Sequence, residues 1–241
     1  FSMLQQILAR ERLTRADGLL LDLGISYDQL ESTGRGFSFQ KNEPLLMTFS
    51  DDQKPVRDIL NDIDEDELSK IIKEYSDEHY SRSIAREIKR RLPIMTTLAL
   101  REAILSGVSA NYENGRIDPA TRTFMALRIY ANQEFENLKM LLNKLNSVVK
   151  PGGRVAILTF HSNEDRIVKN VLRDSAKSGI LQLINKKVIT AEYSEIKNTP
   201  RARSAKLRSA IMEPEMVLNS DHKATLISMN FGNYATLNPK P

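Results

Sequence analysis

Five residues of this 241-residue chain have types and positions that could do chemistry: Asp22, Gly24, Ser26, His161 and Ser162. Gly18 to Leu21 is a short apolar run that ends in one acid, Asp22, followed by Gly24. Such a run reads as a strand buried on both faces, as in a parallel sheet. An acid at the carboxyl end of that strand stands where α/β sheets bind ligands. The same acid could instead cap the next element or open a turn. Val155 to Phe160 is a second apolar run, and it too ends in a chemically active pair, His161-Ser162. A histidine there could accept a proton or simply bond a backbone group at the strand end.

The elements that must hold these residues follow from spacing. Residues 2 to 13 have helical periodicity, and Thr14 to Asp17 leads into the first strand. Glu31 to Ser50 is a long loop carrying Gly34, Gly36, Pro44 and three phenylalanines; loops of this length are usually functional. Its segment Gly34 to Phe39 could hold a base or a phosphate, or the aromatics could anchor it to the core. Lys54 to about Ser109 reads as short helices. In one of them, Ser81 to Leu92, Arg82, Arg86, Lys89, Arg90 and Arg91 line up against Ile84, Ala85 and Ile88. That run could track a phosphate backbone or form a solvated face. Asp118-Pro119 is a helix start. Phe135, Leu138, Leu142, Leu145 and Val149 continue at helical spacing until Pro151-Gly152-Gly153, a stop signal. Glu164 to Leu172 is another helix. Lys186 to Thr190, Lys206 to Met212 and Ala224 to Phe231 are candidate strands, and Asn198 to Arg208 is strongly basic. Helix, turn and parallel strand recurring in this way is the grammar of a doubly wound α/β sheet.

Composition narrows the function. Cysteine is absent, which excludes a disulfide framework, a thiolate metal site and a thiol nucleophile. His79, His161 and His222 lie far apart in sequence, so no metal site is expected. No apolar run approaches the ~20 residues that span a bilayer, and no membrane partner is expected. The start, Phe-Ser-Met-Leu-Gln-Gln, lacks the basic and apolar regions of a secretory leader. The net charge of +4 is compatible with an anionic partner such as nucleic acid. There is no GxGxxG, Walker or HExxH motif.

The stretches DLGISYDQL, GRGFSF, DPATRTFMALRIY, PGGRVAILTFHSNEDRIVK and NTPRARSAKLR occur in this order. Together they closely resemble the RsmH (MraW) family, S-adenosyl-L-methionine (AdoMet)-dependent methyltransferases that methylate N4 of a cytidine in small-subunit (16S) ribosomal RNA. The resemblance covers residues 1 to 212. It implies a Rossmann-like AdoMet-dependent methyltransferase fold, in residues 1–30 and 116–241, with an all-helical rRNA-recognition domain inserted over 31–115. By the same resemblance the AdoMet contacts fall on Phe1, Asp22 and Gln29. The residues placed against the cytosine are Asp22, Ser26 and His161. The partner is then small-subunit ribosomal RNA or the assembled small subunit, not DNA, and the compartment a bacterial cytoplasm or an organellar matrix. The target cytosine must leave its stack, so single-stranded or loop RNA is the expected substrate.

The chain departs from the family pattern in several places. The glycine-rich Gly-Gly-His loop after the family's first strand is not here, nor is the acid that holds the ribose hydroxyls. The expectation is therefore a fragment that is inactive by itself. The rival expectation is a non-enzymatic RNA-binding remnant. Leu46 and Thr48 stand where the family usually has Asp and Arg, Tyr27 where it has a second Ser, and Asn163 where it has Leu.

Overall fold

The computed structural model describes residues 3–24, 34–214, 217–218 and 224–225. Of the expected site residues, Phe1, Ser26 and Gln29 lie outside them.

Strand β1 (Ala16–Asp22) runs parallel to β2 (Val149–Thr159), with Leu19 opposite Val155 and Asp22 opposite Leu158. Strands β3 (Leu181–Leu183) and β4 (Ile189–Thr190) pair with β5 (Lys206–Met212). In turn β5 pairs antiparallel with β2. The sheet order is β1-β2-β5-β3, so β1 lies at one edge of the described sheet. The sheet is mixed: β1 and β2 are its parallel pair, as the βαβ grammar implies, and β5 runs antiparallel to β2, β3 and β4. A short pair, Val217–Leu218 with Ala224–Thr225, stands apart, and the rest of the strand expected to reach Phe231 lies outside the described residues.

Helices α1 (Leu4–Arg10), α7 (Glu134–Leu142), α8 (Leu145–Val148) and α9 (Ser162–Lys177) supply the core beside the sheet. Leu8, Leu138, Leu141, Val168 and Leu172 pack there with Leu21, Val155, Ile157 and Ala210. Strand alternation puts Leu19, Leu21 and Leu23 on this face and Gly18, Leu20 and Asp22 on the other. Leu20 is 73% exposed, so β1 is buried on one face, not on both. The apolar run was read as doubly buried because a sequence shows side chains and not the elements that cover them.

A second correction concerns residues 149–153. The helical pattern from Phe135 breaks after Leu142, and β2 begins at Val149 and runs through Pro151-Gly152-Gly153. Ala16 pairs with Val149 and Gly18 with Arg154, so extra residues of β2 are accommodated opposite Asp17. A bulge tolerates the missing amide hydrogen of Pro151. A Cβ on Gly153 would come within 2.9 Å of the Asp17 carbonyl.

Helices α2 (Val56–Asp62), α3 (Glu65–Ser76), α4 (Ser81–Arg90), α5 (Thr97–Ser106) and α6 (Ala120–Ala131) build a separate core. Asp64 caps α3 by accepting from the Glu67 amide at 2.7 Å. Leu60, Leu68, Ile72, Ile84, Ile88, Leu100, Ile104 and Leu127 are fully buried together, each worth about 2 kcal/mol relative to exposure. The sequence reading counts α6 with the sheet part, yet Ala120, Phe124 and Leu127 turn its apolar face into this helical core. Asp118 opens α6, accepting from the Ala120 amide at 2.9 Å.

Candidate active site

The parallel pair fixes the geometry. The ladder continues past Asp22, because the Leu23 amide donates to the Leu158 carbonyl at 3.0 Å. At Gly24, with φ of +116°, the chain turns over the Phe160 ring; that φ, more than lack of room, calls for glycine. The two strands therefore end side by side, Asp22 and Gly24 on one, Phe160 and His161 on the other. This is the crevice outside the carboxyl ends of an α/β sheet. The Asp22 carboxylate is exposed at its lip, on the face that Leu20 leaves bare, and has no side-chain partner among the described residues.

His161 is committed to the turn. It is the N-cap of α9: its Nδ1 accepts from the Glu164 amide over a long 3.4 Å, and its Nε2 lies 2.9 Å from Glu164 Oε1. That second approach lacks the alignment of a hydrogen bond. Glu164 Oε2 also accepts from the Phe160 amide at 3.1 Å. The arrangement is a capping box in which the acid reaches one residue farther back than usual. The Phe135 ring, 5.8 Å from that of His161, closes the outer side. Burial pushes the Glu164 carboxyl up, but His161, the Phe160 amide and Arg128 together hold it below the usual glutamate range.

One residue on, Asp165 takes two hydrogen bonds from Arg208 of β5, at 2.7 and 3.0 Å. Burial raises its pKa, and Arg208 with Lys206 more than reverses that, leaving it lowered. Asn163 reaches the other way, from its Nδ2 to the Glu74 carbonyl at 3.3 Å, and Arg166 meets Asp77 at 2.9 Å. Tyr75 stacks on Phe135 at 5.2 Å and donates to Glu136 at 2.9 Å. The first turn of α9 is thus held by the sheet on one side and by α3 on the other, so the end of α3 stands at the crevice.

Two other expected features resolve differently. Phe37 is buried and stacks on Phe49 at 5.4 Å, Phe39 packs edge-on to Phe124, and Gly36 lies so close to Pro44 that a Cβ would come 2.4 Å from its carbonyl oxygen. Arg35 bonds the Thr48 and Ser50 carbonyls and the Thr48 hydroxyl. The loop is anchored by its aromatics, the second of the two readings. In α4, Lys89 donates to the Leu60 and Ile63 carbonyls at 2.8 and 2.7 Å, and Arg90 and Arg91 face Glu87. Arg86 lies 3.8 Å from Glu65. Lys89 is thus tied into the helical core, while Arg86, Arg90 and Arg91 stand beside acids at the surface and Arg82 is exposed with no partner among the described residues.

Sequence reasoning did not single out Glu164 or Asp165, although both lie inside the HSNED stretch, where acids follow a strand-end histidine. It missed Glu78 as well. Glu78 is fully buried, accepts from the Tyr112 hydroxyl and the Tyr80 amide, and faces Arg122. Nothing local in sequence marks it.

An α/β sheet with a carboxylate at the lip of its parallel strands, and a capped helix leaving the neighbouring strand, is the architecture in which α/β domains bind ligands at the carboxyl ends of their strands. The chain belongs to the MraW methylase family, whose model matches residues 1–213. It is 46% identical over 203 residues to the ribosomal RNA small subunit methyltransferase H of Nostoc sp., covering 84% of this chain and 66% of that protein. It is 42% identical to the protein of the same name from Thermotoga neapolitana, covering 84% and 68%. For the one from Ehrlichia chaffeensis the identity is 42%, covering 88% and 74%. The chain spans about two thirds of the length of such curated relatives.

Proposed function

We propose that this chain is the larger part of an AdoMet-dependent methyltransferase acting on N4 of a cytidine in small-subunit ribosomal RNA, free or within the assembled subunit. Residues 1–30 and 116–241 form its Rossmann-like methyltransferase part and 31–115 its helical RNA-recognition part, with α6 of the former packed into the core of the latter. Relatives that carry the methyltransferase name at 40–47% identity support this. They are bacterial, which supports the cytoplasm as its compartment.

The observation that carries the reading is Asp22. An exposed carboxylate at the strand lip, beside a bare leucine, fits a cofactor with hydroxyl and ammonium donors, a positive sulfonium and an apolar edge. When bound, AdoMet supplies the methyl group. Asp22 accepts hydrogen bonds from it, with Phe1 and Gln29 completing the contacts that the family resemblance implies. Cytosine N4 is a weak nucleophile, because its lone pair is delocalised into the ring. The chain can help by orienting the amino group, and such positioning is worth on the order of 7 kcal/mol at best. The Asp22 carboxylate, the Leu23 and Gly24 carbonyls and the Ser26 hydroxyl are the acceptors for its hydrogens, with proton loss to one of them or to water. His161, with both ring nitrogens facing Glu164, acts by fixing the turn that sets the other wall of the crevice.

Calorimetric titration of AdoMet against the chain and its Asp22→Ala variant tests this. Loss of a charged hydrogen bond of about 2 kcal/mol weakens binding roughly thirtyfold; equal affinities remove Asp22 from the site.

A further inference from the structure

Residues 184–206 leave the sheet and return to it as a small lobe. The Ile184 amide donates to the Ser209 carbonyl at 3.1 Å. Strand β4 pairs Ile189 with Leu207 and Thr190 with Lys206. Helix α10 (Tyr193–Asn198) and a 3-10 turn (Pro200–Ser204) follow, with Ala202 buried as the anchor, before the chain re-enters as β5. Lys206 also pairs with Thr159, the last residue of β2. The lobe is therefore tied to the end of the sheet that carries Phe160 and His161. Strands lie ~4.8 Å apart, so β4 is about 14 Å from β1.

This lobe holds the chain's charge imbalance. Lys186, Lys187, Lys197, Arg201, Arg203 and Lys206 stand against two acids, Glu192 and Glu195, a net of +4, which equals the net charge of all 241 residues. The remainder of the chain is neutral in sum. Lys206 lies 3.7 Å from Asp165. Lys186, Lys187, Lys197 and Arg203 are exposed and have no ion-pair or hydrogen-bond partner among the described residues. In α4, by comparison, Lys89 is bonded to carbonyls and Arg86 and Arg90 stand beside acids, which leaves Arg82 as its one cation without a partner among the described residues. Among the free cations of the lobe sits Tyr193, 83% exposed, the barest large apolar side chain among the described residues. Its ring meets no other ring, and its hydroxyl has no partner among them. The fold makes no use of it. An exposed aromatic face set among unpaired cations supplies the two things a single strand of nucleic acid needs, a stacking platform and phosphate contacts.

We infer that the 184–206 lobe is a landing surface for single-stranded RNA flanking the reacting base. Tyr193 stacks one base, and Lys186, Lys187, Lys197 and Arg203 contact phosphates. The identity of the strand as substrate RNA rests on the methyltransferase reading; the surface itself does not.

The test is fluorescence anisotropy of a labelled single-stranded oligoribonucleotide of small-subunit sequence, titrated with the chain. Tyr193→Ala weakens binding roughly 5- to 150-fold, the range for loss of one stacked base, and Tyr193→Phe leaves it unchanged. Replacing Lys186, Lys187, Lys197 and Arg203 together by glutamine flattens the slope of log K against log salt by roughly 2 to 3. AdoMet affinity by calorimetry stays the same in every variant. Unaltered RNA affinity and salt slope overturn the lobe and leave the methyltransferase reading intact. So does capture of phosphatidylglycerol vesicles that these substitutions abolish while RNA binding persists, which assigns the lobe to a lipid surface. Wild-type chain that binds RNA through Tyr193 but takes up no AdoMet, even when fused to a relative's Gly-Gly-His segment, supports the lobe and counts against the methyltransferase reading.

Discussion

Arg208 in β5 grips Asp165 in the first turn of α9 through two parallel hydrogen bonds, 2.7 Å from Nε to Oδ1 and 3.0 Å from Nη2 to Oδ2. Both side chains are largely buried. The pair ties the helix that leaves the crevice to the strand beside it, and the acid also favours the positive end of α9.

Removing one member of a buried pair leaves an uncompensated charge, which costs 3–5 kcal/mol when burial is complete. Here some water reaches both groups, so Asp165→Ala should lose about 2–3 kcal/mol in urea unfolding at neutral pH. The pH dependence follows from the lowered Asp165 pKa. The folded state releases this proton more readily than the unfolded chain. The contribution is thus complete above the unfolded aspartate pKa, about 3.9, and is lost as pH falls through the lower folded value. A plot of unfolding free energy against pH should drop less steeply in the variant over that acid window.

His161 provides a way to separate capping from proton chemistry. His161→Ala removes the cap acceptor and the group that offsets burial of Glu164, at a cost of about 2 kcal/mol. His161→Asn can still accept from the Glu164 amide and should recover about half of that. Glu164 is held low in the native protein, so its stabilising contribution is present above about pH 4.3 and fades as pH falls through the folded value. In His161→Ala part of what offsets burial is gone, so this acid-side contribution should shrink. If methyl transfer, measured with a relative's Gly-Gly-His segment fused to the chain, follows stability through both variants, the histidine is a positioning residue. A loss of activity in His161→Asn out of proportion to its stability would make it a proton acceptor.

What could be read from the sequence was whatever local pattern decides. The apolar runs ending in Asp22 and in His161 are strands, adjacent and parallel, because an apolar run followed by a polar residue is a local signal. The helix start at Asp118 was legible for the same reason. What was not legible is set by distant partners. Asp165 looks like an ordinary acid in a first helical turn until Arg208, 43 residues later, is folded against it. Glu78 is buried by Tyr112, 34 residues away. Pro151-Gly152-Gly153 reads as a helix stop, and only the pairing with β1 shows it to be a bulged strand. The bare face of β1 follows the same rule: exposure of Leu20 depends on which elements cover it, and the run of leucines carries no record of that.

Tyr112 and Glu78 make a second test of a buried acid. The Tyr112 hydroxyl donates to Glu78, which is fully buried. Burial, reinforced by Glu78, pushes the Tyr112 pKa well above the ordinary phenol range. Tyr112→Phe keeps the ring against Tyr80 but leaves the carboxylate one donor short, at a cost of about 2 kcal/mol. In the native protein the folded state holds this proton more tightly than the unfolded chain. Its contribution is therefore complete below the unfolded tyrosine pKa, about 10, and lost as pH rises from there toward the folded value. Ultraviolet titration of phenolate should show both Tyr112 and Tyr75, which burial and Glu136 raise likewise, failing to ionise near pH ~10 in the folded wild type, and Tyr112→Phe should remove one of these two silent tyrosines.

Gly107 locks α4 to α5. It follows α5 with φ of −90°, an ordinary value, so backbone strain does not explain it. Space does. A Cβ built there would lie 2.7 Å from Ile84 Cα and 2.9 Å from its nitrogen, both backbone atoms of α4 that cannot swing aside. The Ser83 hydroxyl donates to the Gly107 carbonyl at 2.5 Å and holds the approach. Ile84 is fully buried in the helical core, so any separation of the two helices opens that core. Gly107→Ala should therefore cost about 1–3 kcal/mol, the range for overpacking, even though alanine favours helix over glycine by up to about 1 kcal/mol. Ser83→Ala should cost only about 1 kcal/mol, the worth of one hydrogen bond. A midpoint in urea that rises on Gly107→Ala would show that α4 yields at this contact and that the close approach is incidental to the core.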